Sequence, residues 1–453
     1  TVFNDSSWAA AGLVEIAEPA DAPHNRLSGA FVPQLAESAP GSANATENDA
    51  DAGGQWQSAD GQQLKAQRTE SGWLVESGDI GALGFAQIAL VSEPADDADS
   101  DGDPADNPFV WNEGTLETPF YRLEWDASGR LSRLYDREHR REVLAAGESG
   151  NVLQVFEDKP LQFDAWNIDL FYTEKMRTVD NLLGMRLIEN GPLRASVEFE
   201  WSYGESRIRQ VMRVYAASRR IDFCTKIDWR ERRQLLKVAF PVEIRATEAT
   251  YDIQFGSVKR PTHWNTSWDY ARFETVGHQW ADLSERGYGV SLLNDCKYGY
   301  DIKGRTLRLS LIKSAEYPDP EADLGEHEFT YALLPHAGDW AEGGTAREAW
   351  NLNSPLVVWE GRTEAAGRSL LEVSAGHVQI DAIKAAEDGR GYIVRLHECE
   401  GRSGETTLRW LAEQATWQET DLMERPIGEE QSGEYRCMLK PFEIRTFRVR
   451  AAK

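Results

Sequence analysis

The chain has 453 residues and carries 49 Lys and Arg against 75 Asp and Glu, a formal charge of −26. At ordinary domain sizes that length divides into roughly two to four units, and such acidity repels phosphate backbones, which speaks against nucleic acid as a partner. The four cysteines (Cys224, Cys296, Cys399 and Cys437) show no C-x-x-C spacing, and no apolar run reaches membrane-spanning length; a zinc or disulfide scaffold and a membrane helix are therefore not expected, and a reducing, cytoplasmic setting is.

The chain opens on TVFNDSSW, a strand and turn in pattern, and its first methionine is Met176. A processed or C-terminal piece of a longer chain is the expectation. Two stretches, 37–54 and 93–108, are small, acidic and rich in Pro and Gly. Neither can bury enough apolar surface to offset its ordering entropy, so both read as mobile loops, the second marking a boundary near residue 108. Asp97, Asp99, Asp101, Gly102 and Asp103 imitate the start of a calcium loop, but its twelfth position is Pro108 where a bidentate Glu is needed. A solvated linker is expected there. Glycosylation-type triplets at Asn4, Asn44 and Asn265 are too short to carry weight.

Beyond residue 110, period-two alternation dominates. YRLEW and RLSRLY are separated by the turn Asp126-Ala127-Ser128-Gly129. In IDFCTKIDW, Ile221, Phe223, Thr225, Ile227 and Trp229 share one face. LLKVAFPV aligns Leu236, Val238, Phe240 and Val242, and TLRLSL aligns Leu307, Leu309 and Leu311. Helical periodicity is confined to a short stretch at 345–351. The pattern predicts an all-β protein of sandwiches, with a small unit over 1–108, a large one over 109–355 and a closing one over 356–453.

No metal-ligating histidine spacing, nucleophile elbow, P-loop or dinucleotide fingerprint is present. Carboxylates beside aromatic residues remain, in FEDKPLQFDAWNIDLFY (156–172) and in EYPDPEADLGEHEFTYALLPHAG (316–338). Rings cover the apolar faces of sugars while carboxylates accept hydroxyl hydrogen bonds. The plainer reading makes Trp166 and Tyr172 sandwich core and the acids solvated rims. RPTHWNTSWDYARFE (260–274) poses the same choice, and its aromatic and Arg content favours docking on another domain over glycan contact. An exposed apolar patch, and self-association through it, follow from that.

VFNDSSW, NVLQVFEDKPLQFDAWNIDLFY, GPLRASVEFEWSYGESRIRQ, RRIDFCTKIDWRERRQLLKVAFPVEI, ATYDIQFGSVKRPTHWNTSWDYARFE, GYGVSLLNDCKYGYDIKG and EADLGEHEFTYALLPHAGDW together resemble the C-terminal half of glycoside hydrolase family 38 α-mannosidases, of the bacterial and cytosolic type. The resemblance implies a large galactose-mutarotase-like β-supersandwich flanked by smaller β-sandwich domains. It implies a retaining exo-α-mannosidase, with α-mannosides or oligosaccharides as substrate. In that family an N-terminal barrel carries the nucleophile, the acid/base and a divalent metal, zinc or cobalt, and a helical bundle follows. No catalytic residue and no metal ligand therefore carries over to this chain, whose partners would be its own catalytic and helical domains. Loops matching 159–169, 319–327 and 294–298 help close the sugar pocket in such enzymes, which puts Asp164, Trp166, Asp323 and His327 at the mannose site or behind it. Two other readings stand beside this one. The first is a stand-alone carbohydrate-binding module. The second is an aldose-mutarotase-like enzyme using His263 or His327 with a nearby Glu as acid and base.

Overall fold

The computed structural model describes residues 1–17, 54–92, 107–411 and 414–450. Both acidic inserts, apart from their last residues, and the calcium-like pattern at 97–103 lie outside these.

Alternation builds the strand Ile221–Trp229, whose Ile221, Phe223, Ile227 and Trp229 are buried as the pattern predicts. It lies inside a nine-stranded antiparallel sheet. From one edge to the other the strands are Asn181–Asn190, Arg194–Tyr203, Ser206–Tyr215, Ile221–Trp229, Gly325–Ala337, Tyr288–Asn294, Trp280–Glu285, Glu248–Ile253 and Gly256–Pro261. A six-stranded sheet packs on it, ordered Met176–Thr178, Val152–Glu157, Gln234–Pro241, Thr306–Lys313, Gly299–Lys303 and Thr275–Val276. Leu236, Val238, Phe240, Leu307 and Leu309 enter one core with Phe223, Tyr331 and Leu333. Phe240 bridges the sheets, with ring centroids 5.6 Å from Phe223 and 6.3 Å from Tyr331. Each such side chain contributes about 1.5–3 kcal/mol by burial, which makes this pair of sheets the main source of stability.

A five-stranded sheet running from Val110–Asn112 to Arg141–Glu142 extends the same core through Tyr121, Leu123, Leu131 and Leu134. The turn between Tyr121–Trp125 and Leu131–Asp136 forms where expected, with Gly129 at φ 74° and the Asp126 carboxylate accepting the Ser128 and Arg130 N–H groups at 2.9 and 3.1 Å. Asp136 ties this sheet to the large one: buried, it accepts the Tyr288 hydroxyl at 2.8 Å and ion-pairs with Arg219.

Val14, Trp56, Val75, Ile80 and Ile88 form a small N-terminal core. Val2–Phe3 pairs with Phe85–Ala86 on one side and Val357–Val358 on the other, stitching the chain start to the segment that leaves the large unit. The closing unit pairs a three-stranded with a five-stranded sheet around Leu396, Leu408, Trp417 and Phe447. The Phe255 ring, at the tip between Glu248–Ile253 and Gly256–Pro261, meets it edge-on at His397, 5.4 Å away. The short helix forms at Thr345–Asn353, its Ala349 buried with Trp280 and Trp340. A second helix, Ser267–Ala271, was not expected from periodicity; its start is written as Thr266-x-x-Asp269, a reciprocal capping box. All four cysteines are unpaired.

Candidate functional site

Antiparallel register explains why distant loops meet. Glu157 pairs with Gln234, Leu235 with Lys313, and Trp229 with Gly325. The segments 158–175, 230–233 and 314–324 therefore all leave the sandwich at one end. There they bond to each other. The Glu316 N–H donates to the Asp164 carboxylate at 2.7 Å, and the Ala165 N–H to the Tyr317 carbonyl at 3.1 Å. Lys313 donates to the Asp164 carbonyl at 2.7 Å and ion-pairs with Asp158, while Arg233 pairs with Glu316. Asp169 accepts the Leu161 N–H at 2.9 Å and closes the first loop on itself. Phe163 at φ 58° and Asp323 at φ 56° hold left-handed backbone that such bonding must sustain.

The resulting ridge is apolar at its crest and acidic beneath. Leu161, Phe163, Trp166, Phe171 and Tyr317 are exposed, Trp166 at 67%. Asp158 is buried, and burial raises its carboxyl above the ordinary range against the opposing pull of Lys313. Exposed rings beside fixed carboxylates suit a polyhydroxylated ligand.

Under the ridge, on the outer face of the six-stranded sheet, lies a buried ionic cluster. Lys237 has no exposed surface; its Nζ lies 2.5 Å from Asp301 and also bonds Glu274, which accepts the Tyr172 hydroxyl at 2.5 Å. Arg308 pairs with the second Asp301 oxygen at 2.8 Å. Burial opposes charge on Lys237, but Asp301 and Glu274 outweigh it and hold the ammonium above its ordinary value. Tyr172, with Phe156 and Leu235 beneath it and Ile168 and Phe273 alongside, seals the cluster. Loop 158–175 is thus seated on paired charges.

Of the four residues singled out from the sequence, Asp164 and Trp166 share one turn, where the Trp166 N–H meets the Phe163 carbonyl at 2.8 Å. Asp323 and His327 form a second local pair, the His327 Nε2 lying 2.9 Å from the Asp323 carbonyl oxygen. No direct bond joins the two pairs among the described residues; segment 316–320 bridges them. Trp166 is not core, whereas Tyr172 is. In 294–298, Asn294 is buried and bonds the His278 carbonyl at 2.8 Å, and exposed Tyr298 borders a cavity of about 200 Å³ shared with His278, Gln279 and Asn353. Sequence reasoning missed the Lys237 cluster, although a lysine inside the apolar run LLKVAFPV was its signal. Trp268, in 260–274, is 76% exposed. Among the described residues no group of three or more His, Cys, Asp or Glu side chains converges as metal ligands would.

Residues 116–321 match the glycosyl hydrolases family 38 C-terminal domain, and residues 377–447 the glycosyl hydrolases family 38 C-terminal beta sandwich domain. Over 352 residues the chain is 38% identical to alpha-mannosidase G of Dictyostelium discoideum, covering 74% of this chain and 32% of that one. It is 39% identical over 322 residues to human alpha-mannosidase 2C1, covering 69% and 31% respectively. The chain thus spans about a third of the length of these curated relatives. The crystal structure of an alpha-mannosidase from Enterococcus faecalis superposes with a TM-score of 0.69 at 15% identity, over 99% of this chain and 55% of that one, a likeness of fold. The chain belongs to glycosyl hydrolase family 38, to the C-terminal β-sandwich region of that family.

Proposed function

We propose that this chain is the sandwich region of a retaining exo-α-mannosidase. In this reading it braces a metal-dependent catalytic barrel outside these residues and presents the ridge of loops 158–175 and 314–324 to the mannose pocket. One observation carries the reading: loops about 150 positions apart are bonded into a single ridge of exposed rings over fixed carboxylates, at one end of the sandwich. Asp164 and Trp166 would meet the sugar or its immediate support, with Asp323 and His327 at the flank. No side-chain group among the described residues fits the divalent metal that the family implies, and in this reading its ligands belong to the barrel. No helix among the described residues is long and apolar enough to cross a membrane; a cytoplasmic setting belongs to the same proposal and rests on the scattered, unpaired cysteines. The exposed Trp268 in 260–274 would be covered in the whole enzyme, and would drive self-association of the isolated chain.

The experiment is hydrolysis of an aryl α-mannoside by the purified chain, with zinc and cobalt each supplied, alone and with the remaining N-terminal part of its parent added back. No turnover alone and restored turnover on mixing supports the reading. Metal-dependent turnover by the chain alone refutes it.

A further inference from the structure

A second site lies at the edge of the six-stranded sheet. Arg260 in Gly256–Pro261, Arg272 just after the helix Ser267–Ala271, and Lys303 at the end of Gly299–Lys303 line one cleft with Tyr251, Trp264 and Asp301. Aromatic faces hold two of these cations. The Arg260 guanidinium lies 4.5 Å over the Tyr251 ring and donates to the Val276 carbonyl at 2.8 Å, and the Lys303 ammonium lies 3.1 Å over the Trp264 ring. A ring positions a cation without neutralising it.

Among the described residues none of the three has a carboxylate in ion-pair range. Asp301, the one carboxylate in the wall, is already taken by Lys237 and Arg308. In the layer beneath, Lys237 and Arg308 balance Glu274 and Asp301, so the charges of Arg260, Arg272 and Lys303 stand uncompensated in a chain of formal charge −26. Burial, with Arg272 adding to it, holds the Arg260 guanidinium below its ordinary value; burial and then Arg308 do the same to Lys303. Like charges are crowded here, and the one opposing charge in the wall, Asp301, relieves Lys303 only in part because it already serves Lys237 and Arg308. The enclosed volume is only about 10 Å³, while Arg272 and Lys303 are exposed at the mouth. The enclosed part takes about one water, so an anion is held at the mouth, against the exposed Arg272 and Lys303.

We propose that this cleft binds a compact oxyanion of the phosphate class, as free phosphate or as the phosphate of a phosphomonoester, with Arg260 and Arg272 donating N–H groups and Lys303 its ammonium.

The test is calorimetric titration of the chain with sodium phosphate against sodium chloride at matched ionic strength, then with a hexose phosphate and the plain hexose. Phosphate is expected to bind, and Arg272→Gln and Lys303→Gln each to weaken it at least about tenfold, since each removes a charged donor. Both side chains are exposed, so neither variant threatens folding, which circular dichroism checks. Tighter binding of the hexose phosphate with an inert hexose supports the phosphomonoester source, and equal affinity supports free phosphate. Absence of binding, or binding unchanged in both variants, overturns the proposal. So does binding by the isolated chain that disappears in the full-length parent, because the cleft would then be a docking surface for a neighbouring acidic segment.

Discussion

Replacing Lys237 with Met keeps the aliphatic stem and removes the charge, which isolates what the buried ammonium contributes. Its side chain has no exposed surface, and its Nζ serves both Glu274 and Asp301. After the change Asp301 keeps Arg308 at 2.8 Å, while Glu274 is left with the Tyr172 hydroxyl at 2.5 Å. Breaking a buried ion pair from one side costs about 3–5 kcal/mol, and the retained Arg308 places Lys237→Met near the lower figure. At roughly 2–4 °C per kcal/mol for a unit of this size, the melting temperature should fall by about 10 °C. The deficit should also depend on pH. Burial raises Glu274 already in the native protein, and losing Lys237 raises it further. A carboxyl raised on folding makes the folded state bind more protons, so the variant loses stability as pH rises and regains it as pH falls. Lys237 itself, held above 10.5, contributes stability throughout the neutral range and loses it only on the alkaline side. Thermal melts at about pH 5 and about pH 8 should show the larger deficit at the higher pH. Equal deficits at the two values, or no deficit at all, would refute the claim that paired charges seat the loop.

Asp252 tests the contact near the closing unit. Burial raises its carboxyl from 3.8 to about 6 while it accepts the Gln279 N–H at 2.9 Å. It therefore costs stability as pH rises through that interval, and Asp252→Asn should raise the melting temperature near neutral pH and leave it unchanged at about pH 3. Trp166→Ala should leave the melting temperature nearly unmoved because the ring is exposed. If the proposed mannosidase activity is restored on mixing, the same change should lower kcat/KM for an aryl α-mannoside about three- to tenfold, the worth of one ring contact. Gly391 sits at φ 102°, where an added Cβ would meet the Val449 carbonyl oxygen at 2.3 Å. Gly391→Ala should cost about 1–3 kcal/mol, read as earlier melting of the closing unit.

The sandwich was legible because its inward rows are regular: Leu307, Leu309 and Leu311 alternate as written and are buried as written. The outward rows of the two flanking strands were not, since Lys237 in Gln234–Pro241 and Asp301 in Gly299–Lys303 look like solvent-facing charges until Tyr172 closes over them. Their burial depends on a cover 65 positions from Lys237 in sequence, and period-two reasoning sees one strand at a time. The same limit hid the cationic cleft, whose three members come from three elements. The loop pair was visible because each loop is locally unusual, rings beside acids; that the two would bond to each other follows from strand register, which a single sequence does not display.

The fate of the acids in these loops bears on whether they do chemistry. A general acid or base needs an end free to reach a substrate proton. Asp158 is pinned by Lys313, and its other oxygen is buried without a partner. Asp164 holds the Glu316 N–H, Asp169 the Leu161 N–H, and Asp319 the Glu321 N–H at 2.9 Å; Glu316 is held by Arg233. Each of these carboxylates is used to shape a loop. Trp166 and Tyr317, by contrast, make their backbone bonds and leave their rings in solvent. Fixed acids below and free rings above is the division expected of a wall that receives a sugar whose bond is cut by groups on another domain. It is the reason we propose these loops as the rim of the pocket and not as its chemistry.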